Sequence, residues 1–163
     1  MKTLGIVGWS GSGKTTLIER LLPYLAQQGL RVSVIKQSHH AIETDQPGKD
    51  SWRHRQAGAQ EIILSTPRRW VLTHEVRTEA PPDLDELVAR LAPCDLVLVE
   101  GYKFAAHPKL EVWRSALGKP CLYPDDSRIL AVASDVPLPD IRHYDIDDIA
   151  AIGRFILEQV QNT

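Results

Sequence analysis

The segment Gly8-Trp9-Ser10-Gly11-Ser12-Gly13-Lys14-Thr15 limits what this chain can fold into more than any other feature. It matches G-x-x-x-x-G-K-[ST], in which glycines let the backbone curl until several N–H groups face one anion. Such a curl needs a strand before it and a helix after it, and both are legible. Residues 4–7 are a short apolar run that stops at Gly8, as a buried parallel strand does before a turn. From Lys14 onward, Leu17, Ile18, Leu21, Leu22 and Leu25 recur at helical spacing until Gly29, with Pro23 predicting a kink or an early end. The loop therefore predicts a nucleoside-triphosphate site. Gly8, Ser10, Gly11, Ser12 and Gly13 line it with backbone, Lys14 reaches the β and γ phosphates, and Thr15 offers a hydroxyl to Mg2+. Thr16 closes the first turn beside them.

The rest of the chain alternates strand and helix. The pattern predicts strands over 31–36, 61–65, 70–73, 95–99, 109–114 and 129–133, with 61–73 forming a hairpin. Helices are predicted over 51–58, from Leu84 to Leu91 on one apolar face, and over Ile149, Ile152, Ile156, Leu157 and Val160 at the C-terminal end. Alternation of this kind implies parallel β-α-β units, hence an α/β fold: a P-loop NTPase-like three-layer sandwich with a mostly parallel central sheet and helices on both faces. At 163 residues, one domain over 1–163 is expected.

Ligands in open α/β sheets gather beyond the carboxyl ends of the strands, and that rule sorts the acidic residues. Asp95 opens its strand and lies at the wrong edge. Glu100 closes it, which makes Glu100 the magnesium-side carboxylate and puts the Gly101 amide within approach of a γ phosphate. Asp135, with Ser134, ends the strand over 129–133; a carboxylate there can accept the adjacent N1–H and amine of guanine bidentately, or merely start the turn into Val136-Pro137. Between Lys36 and Ser51 lies a long loop of the kind that serves a site. In it, Asp45 or Asp50 is placed to order a magnesium-bound or attacking water, although Asp50 reads more readily as the N-cap of the following helix. Adjacent residues of an extended segment point to opposite sides, so His39 and His40 are not expected to share one metal ion. Lys49, Arg53 and Arg55 read as a solvated basic face.

Composition narrows the partners. Nineteen basic against 21 acidic residues leave a net charge of −2, which does not suit a dedicated nucleic-acid binder. No apolar stretch is long enough to span a bilayer, the short run before the glycine loop is not expected to be a secretory leader, and Cys94 and Cys121 form no C-x-x-C pair. A soluble cytoplasmic protein is expected.

The set comprising residues 8–15, Lys36-Gln37-Ser38-His39-His40, Asp45 with Pro47-Gly48-Lys49-Asp50-Ser51, Arg55 with Ala57-Gly58-Ala59, Val99-Glu100-Gly101-Tyr102-Lys103 and Ala131-Val132-Ala133-Ser134-Asp135 resembles the MobB family, the molybdopterin-guanine dinucleotide biosynthesis adapter proteins. The resemblance runs nearly the whole chain. It implies a GTP-binding homodimer with weak hydrolysis that assists the molybdopterin guanylyltransferase, with molybdopterin itself as a second partner. It also implies kinship with metallochaperone-type GTPases. Trp9 stands where some of that wider class carry an extra lysine, and the N-K-x-D base motif is missing, leaving Ser134-Asp135 as a shorter substitute. A P-loop small-molecule kinase and a nickel-delivering GTPase are the alternatives; the first needs a lid of arginines over the phosphates, the second clustered His or Cys.

Overall fold

The computed structural model describes residues 1–38 and 42–161. They form two compact units: Met1–Gln37 together with the chain from Leu84 onward, and Ser38–Asp83. The larger unit contains, in order, β1 (Lys2–Val7), α1 (Lys14–Gln27), β2 (Val32–Lys36), and, after the smaller unit, α3 (Leu84–Ala89), β5 (Leu96–Glu100), β6 (Lys109–Trp113), β7 (Ile129–Ser134), β8 (His143–Asp145) and α4 (Ile149–Gln161). Its sheet runs β2-β5-β1-β6-β7-β8, and every neighbouring pair is parallel. The expected α/β architecture is therefore present.

Strand side chains alternate between two faces, so each central strand feeds two cores. Leu4, Ile6, Leu98, Leu110, Val112 and Ala131 face one side, where Leu17, Leu21 and Leu25 of α1 and Ile152, Phe155 and Ile156 of α4 cover them. The two helices come close enough that a Cβ on Gly153 would collide with the Tyr24 ring. Ile35, Val97 and Val99 face the other side and meet Leu84 and Leu87 of α3. Helices thus lie on both faces. Further along that second face, β6 carries charges between its apolar residues. Lys109 is fully buried and bonds Asp126 at 2.6 Å, while Glu111 accepts the amides of Leu122 and Tyr123 at 2.8 and 3.0 Å. Buried charges of this kind persist only with such partners, and here they clamp the 121–128 segment onto the sheet.

The smaller unit holds α2 (Asp50–Gln56) and an antiparallel hairpin of β3 (Glu61–Thr66) and β4 (Arg69–His74), the hairpin expected at 61–73. Two local expectations change. α1 does not end at Pro23 but runs on to Gln27, because Leu21 and Leu25, both fully buried, hold the turns on either side against the sheet. That packing outweighs the roughly 3 kcal/mol an interior proline costs. Asp50 is not the N-cap of its helix. Lys49 is, with extended backbone, and Asp50 already belongs to the first turn, where a carboxylate still favours the positive helix end. β8, only three residues long, has no counterpart among the strands that the sequence pattern predicts. Among the described residues no helix is long and apolar enough to cross a membrane.

Phe155 is 1 % exposed and its ring lies 5.6 Å from that of Tyr144. Phe155→Ala is expected to lower stability by about 3–5 kcal/mol, read as the shift in urea midpoint at unchanged slope.

Candidate functional site

β1 is central in the sheet, flanked by β5 and β6, so the loop that leaves it emerges at the middle of the carboxyl edge. The loop turns through Gly8, Gly11 and Gly13 at φ of 146°, 81° and 97°, which side chains tolerate poorly. Gly8 is constrained twice over: a Cβ there would run into the Val112 carbonyl oxygen and come within 2.9 Å of Ser12 Oγ. Gly13 heads α1 with no side-chain cap, and the first amide to find a helical acceptor is that of Leu17, bonding Gly13 O at 2.9 Å. The amides before it point out of the helix end, where they favour an anion. A cleft of about 420 Å³ opens there, lined by Ser10, Gly11, Gly13, Lys14, Thr15, Thr16, Lys36 and Glu100.

Three side chains meet on the floor of this cleft. Thr15 Oγ1 donates to Glu100 Oε1 at 2.7 Å, and Glu100 itself is buried. Lys36 Nζ donates to Thr15 Oγ1 at 3.2 Å and to the two Glu100 oxygens at 3.1 and 3.2 Å. A hydroxyl and a carboxylate are hard oxygen donors that suit Mg2+, and here they bond each other with the Lys36 ammonium set against both. Lys14 lies alongside, its Nζ held by the carbonyls of Gly8 at 3.1 Å and Trp9 at 2.8 Å. Burial lowers the Lys14 pKa below the ordinary lysine value of 10.5; Glu100 opposes the shift, while Lys103 and Lys36 add to it. An anion in the cleft would relieve that strain.

The other expected residues are placed as follows. Ser12 is fully buried; its amide bonds Trp9 O at 3.2 Å, and its Oγ is without a hydrogen-bond partner among the described residues. Its side chain therefore packs the loop rather than lining the cleft. The Gly101 amide donates to Ile6 O at 3.3 Å, and a Cβ on Gly101 would press on Gln37. Ser134 is buried, its hydroxyl donating to Val136 O and lying 3.0 Å from His143 Nε2. Asp135 accepts from the Ser115 amide at 2.9 Å and the Ser115 hydroxyl at 3.1 Å, and the amide bond foremost holds its carboxyl below the usual range. Ser115 follows Arg114, whose Nε donates to Ser12 O at 3.2 Å, so Asp135 is tied by a short relay to the phosphate loop.

Asp45 and Asp50 belong to the smaller unit. There Asp45 accepts from Arg55 Nε at 3.1 Å, and Glu43 and Glu75 bring two further carboxylates to the same guanidinium at 2.8 and 3.5 Å. Arg55 is thus an internal tie rather than a solvated basic group. His39 and His40 lie outside the described residues. Sequence reasoning missed Lys36 and Arg114 as site residues. The register pairs Lys36 directly with Glu100 across β2 and β5, but that neighbour relation needs the strand order, which local patterns do not carry.

Glycine loop, bare helix start, hydroxyl and closing carboxylate together define an α/β protein of the phosphate-binding-loop class. Comparison with known proteins makes this more specific. The family model of molybdopterin guanine dinucleotide synthesis protein B, MobB, matches residues 3–135. The chain is 40% identical over 162 residues to the molybdopterin-guanine dinucleotide biosynthesis adapter protein of Escherichia coli, covering 97% of this chain and 93% of that one. It is 46% identical over 156 residues to the protein of that name from Haemophilus influenzae, covering 94% and 86%. A crystal structure of molybdopterin-guanine biosynthesis protein B superposes with a TM-score of 0.77 at 31% identity, over 96% of this chain and 98% of that one. The chain belongs to the MobB family.

Because Lys14 is depressed when free and would be raised beside a triphosphate, nucleotide binding at alkaline pH should take up a proton, and affinity should fall as pH rises through the free-state pKa. Calorimetry in buffers of different ionisation enthalpy checks this. Lys14→Arg, which does not titrate there, should abolish the uptake.

Proposed function

We propose that the chain is a GTP-binding adapter with slow hydrolysis that assists the guanylyltransferase step of molybdopterin guanine dinucleotide biosynthesis in the cytoplasm. The observation that carries this reading is the convergence of Thr15, Glu100 and Lys36 under the glycine loop. In the proposed bound state the loop amides take the phosphates, and Lys14 exchanges the Gly8 and Trp9 carbonyls for phosphate oxygens. Thr15 and Glu100 hold Mg2+, which neutralises charge on the phosphates, and Lys36 moves off to contact the anion. Asp135 supplies the carboxylate for guanine by releasing Ser115. That exchange is consistent with modest base selectivity, since a protein hydrogen bond is lost for each one gained.

A slow reaction follows from the same arrangement. Arg114, in contact with the loop, is turned to the Ser12 carbonyl, and Arg55 is engaged by three carboxylates. Engaged in this way, neither of these two guanidinium groups serves as the arginine lid that a kinase uses.

Nucleotide titration with a fluorescent ribose-labelled GTP tests the reading. Lys14→Ala should weaken binding at least about a hundredfold, as loss of a charge-assisted phosphate contact in a shielded cleft implies. Asp135→Asn should lower the GTP over ATP preference; an unchanged ratio would remove Asp135 from base recognition.

A homodimer is part of the proposal. Its support is the hairpin, where Ile63, Leu64 and Trp70 are 66, 56 and 64 % exposed. An isolated two-stranded ribbon with such residues in water is poorly stable, and a second copy would cover them. Trp70→Glu with Ile63→Glu should convert the dimer to monomer in sedimentation velocity while leaving far-UV circular dichroism unchanged; a monomeric wild type refutes the assignment.

A further inference from the structure

Beside the phosphate cleft lies a second cavity of about 380 Å³ that shares no lining residue with it. It opens on the sheet face opposite α1 and α4, where Val7 and Ile129 form its floor. The volume falls in the range of small-molecule sites, roughly 300–1,000 Å³. Its walls combine features that no step of the proposed nucleotide chemistry uses.

The first feature is a fixed aromatic face. Trp9 follows Gly8 in the phosphate loop, but its ring turns away into this cavity, anchored by Nε1 donating to Pro120 O at 2.7 Å. The second is Phe104, which lines the same cavity and is 91 % exposed, an exposure that the folding of the chain leaves uncompensated. The third is charge of both signs. Lys103 Nζ sits 4.3 Å from the Trp9 ring centroid, and Arg128 is held on the wall by Asp126 at 2.6 Å. Asp125 contributes an exposed carboxylate. Cys121 completes the wall as an apolar group, since burial pushes its thiol pKa up and keeps it protonated.

Two aromatic surfaces select a flat ring system, a carboxylate selects a ring edge with adjacent N–H donors, and the two cations select an anionic arm. We propose that this cavity binds a pterin bearing an anionic side arm, stacked against Trp9 and Phe104 with its amino-oxo pyrimidine edge toward Asp125 and its anion toward Lys103 and Arg128. The assignment rests on the reading of the chain as a molybdopterin guanine dinucleotide adapter, and it gives that reading a second ligand held by a ring of the phosphate loop itself. Guanine presents the same ring edge, so the base of a nucleotide is the competing source of this chemistry.

The test is a titration of the full chain into the fluorescent pterin-6-carboxylate, followed by anisotropy, with saturating GTP and Mg2+ present. Saturable binding is expected, weakened about tenfold by Phe104→Ala and by Asp125→Asn. The affinity of both variants for ribose-labelled GTP should be unchanged, which also shows that they fold. Absence of saturable pterin binding, or equal pterin affinity in wild type and both variants, overturns the proposal. So does displacement of the pterin by GTP together with weakened GTP binding in Phe104→Ala, which would give the cavity to the guanine base. Pterin binding that survives in Lys14→Ala, or in a wild type that proves unable to bind GTP, supports the cavity while the nucleotide reading stands or falls by its own titration.

Discussion

The close approach of Gly8 to the Val112 carbonyl governs the rest of the molecule. β1 can release its chain toward the first helix only by passing within contact distance of β6, and any side chain at position 8 would push the loop outward. With hydrogen there, the backbone curls and the α1 end is left facing a cleft instead of a wall. The surrounding cores then hold both ends of the curl. Leu4 and Ile6 pin β1 from one side, and Leu17 and Leu21 pin α1 against the same face. Holding a glycine-rich loop in one conformation costs backbone entropy, so the loop depends on this apolar packing to stay open.

Charge in and near the cleft is arranged as a set of internal pairings. Lys36 bridges Thr15 and Glu100, Lys14 folds onto two loop carbonyls, and Asp135 takes both donors of Ser115. Each group is partnered, which spares the free protein the cost of unpaired polar atoms near a buried floor. In the proposed bound state each exchanges an internal partner for one on the ligand or metal. Net gain per contact is then small, and selectivity rests on how many exchanges occur at once. Trp9 extends this logic sideways: its backbone belongs to the phosphate loop and its ring to the neighbouring cavity, so events in one are mechanically close to the other.

The smaller unit follows another design. Three carboxylates surround Arg55, and the hairpin displays apolar side chains with little beneath them. A sequence reader sees Arg55 as one of several basic residues near a loop, because its acidic partners come from positions 43, 45 and 75, on both sides of a helix and a hairpin. The partners of a charge are a long-range property. Its local neighbours in the chain do not report them.

Sequence by itself determined the glycine loop, the α/β class and most of the strands, and it singled out Thr15 and Glu100 separately; that they bond each other came from the structure. These follow from local rules: glycines where φ must be positive, apolar runs of strand length, and the preference of ligands for carboxyl strand ends. Tertiary structure decided the rest. The order β2-β5-β1 sets Lys36 beside Glu100, packing of Leu21 and Leu25 carries α1 through Pro23, and buried Lys109 and Glu111 fasten the segment that walls the second cavity. The physical reason is that sheet neighbours and buried charge partners are selected by burial summed over the whole core, a quantity that no short window of residues contains.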